Sequence, residues 1–222
     1  MRSGRKSSPL GVFVIPVVAG LLLADMKPAA AHPHVLIDAK ATFQLDAERR
    51  IEAIRIEWRF DEFFSAYALE ELQVESSDDV TEEQRAAMAE QYMSNLVEWD
   101  YMTELAVDAD YATLGPANDY SVSVDDDIVS LTFTLPVSEP VDATTHDVGL
   151  RMYDPTYYIS IEYVGDDALR IDGARTDGCT ATVDDSEPTM ETVPLSQGGF
   201  AASDRSTSIG FLYAQTGRIR CE

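Results

Sequence analysis

Cysteine and histidine are scarce in this chain of 222 residues. Cys179 and Cys221 are its two thiols, and no C-x-x-C spacing hints at a redox pair or a zinc ribbon. The histidines are His32, His34 and His146. Basic residues are also few, 16 Lys and Arg against 40 Asp and Glu, for a formal charge of −24. A surface so acidic repels phosphate backbones and anionic lipid, which argues against nucleic acid as a partner. There is no G-x-S-x-G, no H-E-x-x-H and no glycine loop of the kind that cradles phosphate, so no hydrolase or nucleotide-binding signature is present. With so many carboxylates, chance Asp/Glu pairs are inevitable, and none marks an acid–base centre. The chain reads as a non-enzyme; a copper oxidase built on an N-terminal histidine is the one enzymatic alternative.

Long apolar runs are missing beyond the first, Leu10 to Ala24. That run follows Arg2, Arg5 and Lys6 and precedes Ala29-Ala30-Ala31. Basic start, apolar run and small-residue site make a secretory signal, and the run is short for a membrane span. An uncleaved anchor is the competing reading. The sequence predicts cleavage after Ala31, a periplasmic product beginning at His32, and no stable membrane insertion of the mature chain. Cleavage removes four basic residues and one acidic residue, deepening the charge to −27. In an oxidising compartment the isolated Cys179 and Cys221 are most simply a disulfide, with a thiolate metal pair as the alternative.

Residues 32–222 read as a single α+β domain, rich in antiparallel sheet, with a helical insertion after the first hairpin. Val35, Ile37, Ala39, Ala41, Phe43 and Leu45 alternate along one strand, and Ile54, Ile56, Trp58 and Phe60 along the next, with Asp46–Arg49 as the turn. Parity requires paired numbers to sum to an odd value. A sum of 95 sets Ile37 against Trp58 and His34 against Asp61; a sum of 97 sets Asp61 against Leu36. The first is the working expectation. A helix is expected near 62–73. Thr81 with Gln84 forms a capping box opening one long helix to about Ala106, with Met88, Tyr92, Leu96, Trp99, Met102 and Leu105 as its apolar stripe. Strands are expected near 119–125, 128–135, 147–153, 156–163, 168–175 and 217–221, with Asp125-Asp126-Asp127 as a tight link.

His32-Pro33-His34 is the most informative segment. After cleavage, His32 offers an α-amine and an imidazole that chelate one ion together, and His34, two residues on, shares its face of an extended strand. Imidazole suits nickel, cobalt, zinc and copper. Asp61 is the candidate carboxylate, as ligand or as partner to an imidazole. Pro33 has no amide hydrogen, which blocks the square-planar chelate made through deprotonated backbone nitrogens. The alternative is an N-terminal tail with two solvated imidazoles. His146, beside Asp147, reads as a loop residue.

With these residues assembled, the chain resembles a family of uncharacterised bacterial periplasmic proteins, often labelled the periplasmic component of an uncharacterised ABC-type transport system. The matching stretches are Ala31-His32-Pro33-His34-Val35 with Ile37-Asp38-Ala39, Trp58-Arg59-Phe60-Asp61-Glu62-Phe63-Phe64-Ser65, Glu98-Trp99-Asp100-Tyr101, Tyr153-Asp154-Pro155-Thr156-Tyr157-Tyr158 and Gly178-Cys179. The resemblance implies metal traffic, because such genes commonly neighbour nickel/cobalt-type transporters, and a membrane metal transporter as partner. It adds Asp154 and Tyr157 as possible site residues. It also implies an EF-hand-like calcium loop over residues 73–84. Here Gln73 and Gln84 stand at its first and last ligand positions, leaving Glu75, Ser77 and Asp79 in a degenerate loop that has lost strong calcium binding. The resulting expectation is a periplasmic transition-metal-binding accessory of a metal transport system. The alternative is a metal-free interaction or sensor subunit that docks on a membrane transporter.

Overall fold

The computed structural model describes residues 33–186 and 208–222. All lie within the second of the two units into which the chain divides, His32–Glu222. The expected signal segment, 1–31, and the expected first mature residue, His32, lie outside the described residues.

The fold is α+β, built on two sheets. Strand β1 (Val35–Leu45) and strand β2 (Arg50–Phe60) form the expected hairpin. Their odd and even apolar sets respectively point inward: Phe43, Ile54 and Ile56 are fully buried. Asp46 closes the turn, its Oδ1 accepting the amides of Glu48 and Arg50, each at 2.9 Å. The register corrects the working expectation. Ile37 pairs with Phe60 and Ala39 with Trp58, the sum of 97. Parity holds under either sum; what selects this one is Asp61, whose backbone amide donates to Leu36 O at 3.0 Å and whose Oδ2 accepts the Leu36 amide at 2.7 Å. His34 therefore does not face Asp61 across the hairpin.

Helices α1 (Glu62–Glu71) and α2 (Glu82–Leu96) follow the hairpin. The capping box forms as read, with Gln84 N donating to Thr81 Oγ1 and Thr81 N donating to Gln84 Oε1. The helix expected to reach Ala106 instead ends at Leu96. Residues 97–102 make a tight irregular turn, and Thr103–Val107 is strand β3. The reason is tertiary. Thr103 and Leu105 pair with Met152 and Leu150 of strand β7 (Val148–Met152), and Leu105 is fully buried there. Burial in a ladder overrides a helical spacing that three residues happened to satisfy.

The rest follows in order: β4 (Asp110–Ala112), β5 (Asn118–Asp125), β6 (Ile128–Asp142), β8 (Ile159–Tyr163), β9 (Leu169–Gly173), β10 (Cys179–Asp184), the short helix α3 (Ile209–Tyr213) and β11 (Thr216–Cys221). Strand β6 runs well past the expected 135, while β3, β4, β10 and α3 had no clear signal in the sequence. One sheet has the order β5-β6-β2-β1-β8, with β9 also on β1; the other is β10-β11-β7-β3-β4. Pairing is antiparallel except on β1, whose first half runs parallel to β8 and whose second half runs parallel to β9. One apolar core takes side chains from both sheets. Trp58 links them, its indole N–H donating to Met152 Sδ at 3.4 Å. Cys179 and Cys221 are opposite partners in the β10–β11 ladder and form a disulfide. No described helix is long and apolar enough to cross a membrane.

Candidate functional site

The parallel pairing of β1 with β8 decides what lies beside His34. The amides of His34 and Val35 both donate to Tyr158 O, at 2.8 and 3.3 Å. The His34 imidazole stacks on the Tyr158 ring, with centroids 4.7 Å apart and planes 28° from parallel. Thus His34 and the YDPTYY segment, far apart in sequence, meet at one end of the first sheet.

Tyr158 owes its position to Asp154. That carboxylate is 5% exposed. It accepts the amides of Thr156, Tyr158 and Ile159 at 2.8, 2.9 and 3.1 Å, and the Thr156 hydroxyl at 2.8 Å. A buried charge surrounded by amide dipoles in this way is a turn-former that has little left to offer a ligand. Tyr157, at φ 57°, stacks on Tyr213 of α3 with centroids 4.8 Å apart. Gly210 lets α3 approach: a Cβ there would stand 1.8 Å from Asp154 O. Asp154 and Tyr157, both singled out in the sequence, thus build the platform on which Tyr158 holds His34.

Asp61 has a comparable role. It is the N-cap of α1, its Oδ1 accepting the amides of Phe63 and Phe64 at 2.8 and 3.0 Å. Its Oδ2 takes the Leu36 amide. Asp61 therefore fixes the strand that carries His34, acting through the backbone.

The Glu98-Trp99-Asp100-Tyr101 segment lies at the same end. Asp100, Tyr101 and Met102 are consecutive residues at φ 51°, 56° and 49°. Left-handed backbone costs a side-chain-bearing residue roughly 1–2 kcal/mol, so three in a row must be held by their surroundings. The Thr103 hydroxyl donates to Tyr101 O, the Tyr153 amide donates to Met102 O, and Tyr101 Oη accepts the Ala117 amide. The turn leaves Trp99 49% exposed.

Trp99 and Met102 stand between two adjoining clefts. One, of about 200 Å³, is apolar and is floored by Trp58 and Phe60 beside Val35 and Ile159. The other, of about 240 Å³, is lined by Glu98, Asp100, Glu104 and Tyr153. Glu104, which the sequence reading missed, is 4% exposed. It accepts the Tyr153 hydroxyl at 2.9 Å and Arg151 at 3.4 Å, and Arg151 also lies over the Phe211 ring. Its only sequence signal was a lone acid between Thr103 and Leu105, hidden by the helical reading of that stretch.

The other candidates lie elsewhere. Ser77 and Asp79 of the degenerate calcium loop sit in a short 3-10 turn. There the Ser77 amide donates to Asp127 of the β5–β6 link at 2.7 Å. Glu75 lines a separate cleft of about 580 Å³ with Asp126 and Asp127. His146 lies in a loop, as read, and hydrogen-bonds Asp108 of the β3–β4 turn at 2.7 Å; this bond is the main cause of the lowered pKa of Asp108. Among the described residues, no group of three or more His, Cys, Asp or Glu stands together to hold a metal ion.

Comparison with known proteins follows the same span of chain. Residues 17–221 match the family described as "Protein of unknown function (DUF1007)". The chain belongs to this family. An uncharacterised protein of Haemophilus influenzae is similar to it, 24% identical over 199 residues, which cover 86% of this chain and 92% of that protein. Within this DUF1007 chain, the described residues of four of the five segments that carried the resemblance meet around His34, Tyr158 and Trp99; the fifth, Gly178-Cys179, lies at the disulfide.

Proposed function

We propose that this chain is a periplasmic transition-metal-binding accessory of a metal transport system, holding nickel, cobalt, zinc or copper before its transfer to a membrane transporter. The observation that carries this reading is the His34–Tyr158 stack. An imidazole two residues from the expected mature N-terminus is held by a tyrosine whose own turn is fixed by a buried carboxylate. A tail with no purpose has no need of such an anchor. The donor set is the amine and imidazole of His32 with the imidazole of His34, all nitrogen and suited to these ions. Asp61 and Asp154 are positioning residues, since each carboxylate is filled by backbone amides. Export is supported by the disulfide, which belongs to oxidising compartments.

The test is mass spectrometry of the exported protein's N-terminus, followed by calorimetric titration of that material with each of the four ions. A product starting at His32 that binds one ion, with affinity lost in the His32→Ala/His34→Ala variant, is the expected result. Equal affinity in that variant removes the reading.

The apolar cleft at Trp99 favours a second reading, a metal-free subunit docking on a membrane transporter. Co-purification with a membrane protein that survives chelator treatment would favour it over the first.

A further inference from the structure

The His34–Tyr158 stack is built from the backbone outward. The His34 and Val35 amides donate to Tyr158 O, and the Tyr158 amide donates to Asp154 Oδ2. The pairing of Val35 with Ile159 continues the same ladder. These bonds fix where both side chains start, whatever the residue at position 158. The Tyr158 ring covers one face of the imidazole. It is 49% exposed and takes no part in the apolar core, so packing of the fold does not call for it.

We infer that Tyr158 is the specificity-determining residue of the proposed metal site, and that the ion it favours is doubly charged. A metal on an imidazole nitrogen draws electron density from the ring and leaves it partly positive. The face of a tyrosine attracts positive charge, so the stack strengthens when the ion binds. The effect grows with the charge drawn, which favours nickel(II), cobalt(II), zinc(II) and copper(II) over copper(I). The donors point the same way. Soft sulfur ligands select copper(I). Both cysteine sulfurs are held in the disulfide, and the donors of the proposed site are nitrogens. The inference rests on the metal reading and deepens it: the ring face selects among ions without being a ligand.

The experiment uses the exported chain at roughly pH 8, where imidazole is neutral. Parent, Tyr158→Phe and Tyr158→Leu are titrated with zinc(II), with nickel(II), and with copper(I) supplied anaerobically as a weak complex. Tyr158→Leu should weaken zinc and nickel binding by about threefold, the scale of an exposed cation–π contact. Tyr158→Phe keeps the ring and should bind as the parent does. Copper(I) affinity should change less than that of the two divalent ions. Cobalt(II), which is paramagnetic, should shift the Tyr158 ring resonances of the parent as it binds.

The inference is overturned if Tyr158→Leu binds zinc and nickel as tightly as the parent, or if Tyr158→Phe loses as much as Tyr158→Leu. It is also overturned if copper(I) loses as much as the divalent ions, or if bound cobalt leaves the Tyr158 resonances unmoved. Each of these results leaves the metal reading standing so long as affinity still disappears in the His32→Ala/His34→Ala variant. A parent chain that binds none of the ions sinks the metal reading, and this inference with it.

Discussion

Asp61 Oδ2 accepts the Leu36 amide at 2.7 Å, so the residue that starts helix α1 also pins the first strand of the sheet. One carboxylate closes the hairpin register and caps a helix, and the strand it pins carries His34 at its head.

Replacing Asp61 by Ala should therefore cost about 1–2 kcal/mol through the lost cap, measured by urea unfolding. Asn, an equally good cap, should recover most of that loss. If Asp61 were instead a metal ligand, Asn would restore stability yet leave metal affinity low. On the reading given above, affinity returns with stability.

Asp154→Ala should be more costly, roughly 2–3 kcal/mol, because three part-buried amides lose one buried acceptor together. It should also move the His34 imidazole resonances in NMR spectra, since Tyr158 loses its anchor. Unchanged His34 shifts would break the link between that turn and the candidate site.

How much of this was legible in the sequence varies by element. Thr81 and Gln84 announce a helix start by local chemistry, and the structure has the box as read. The hairpin was legible to within its parity, but sums of 95 and 97 bury the same residues. Only a side chain outside both strands, Asp61, separates them. The end of α2 was illegible because Trp99, Met102 and Leu105 keep a helical spacing while lying in a turn and a strand. The segments of the candidate site could each be read singly. Their meeting depends on parallel pairing between β1 and β8, which no local pattern encodes. Glu104 could not be singled out, since its burial is set by β7 and by Tyr153.

Tyr92, which lines the apolar cleft, has its phenol pKa pushed up to about 12 by burial, with the Glu71 charge as a lesser cause. The folded state keeps this proton when the unfolded chain, near the ordinary value of 10.0, has released it. Tyr92 thus favours the fold below pH 10 and loses that contribution as pH rises from about 10 to about 12. Ultraviolet titration should show one tyrosine ionising late in that window, and Tyr92→Phe should delete it.

The Cys179–Cys221 bridge spans 42 residues. Its removal in a double Ala variant should cost roughly 4 kcal/mol in the chain-entropy account. Thermal melting with and without reductant on the parent protein checks this independently.

Strand β1 has β2 on one flank and both β8 and β9 on the other. The second flank comes from the far part of the chain, so the first strand made must wait with one edge bare until Ile159–Gly173 emerges. Such long-range closure slows folding. It also sets an order of events: the His34 ring gains its Tyr158 neighbour only after the hairpin, both long helices and β3 to β7 have been synthesised, so this corner of the sheet is a late arrival relative to the turn that precedes it.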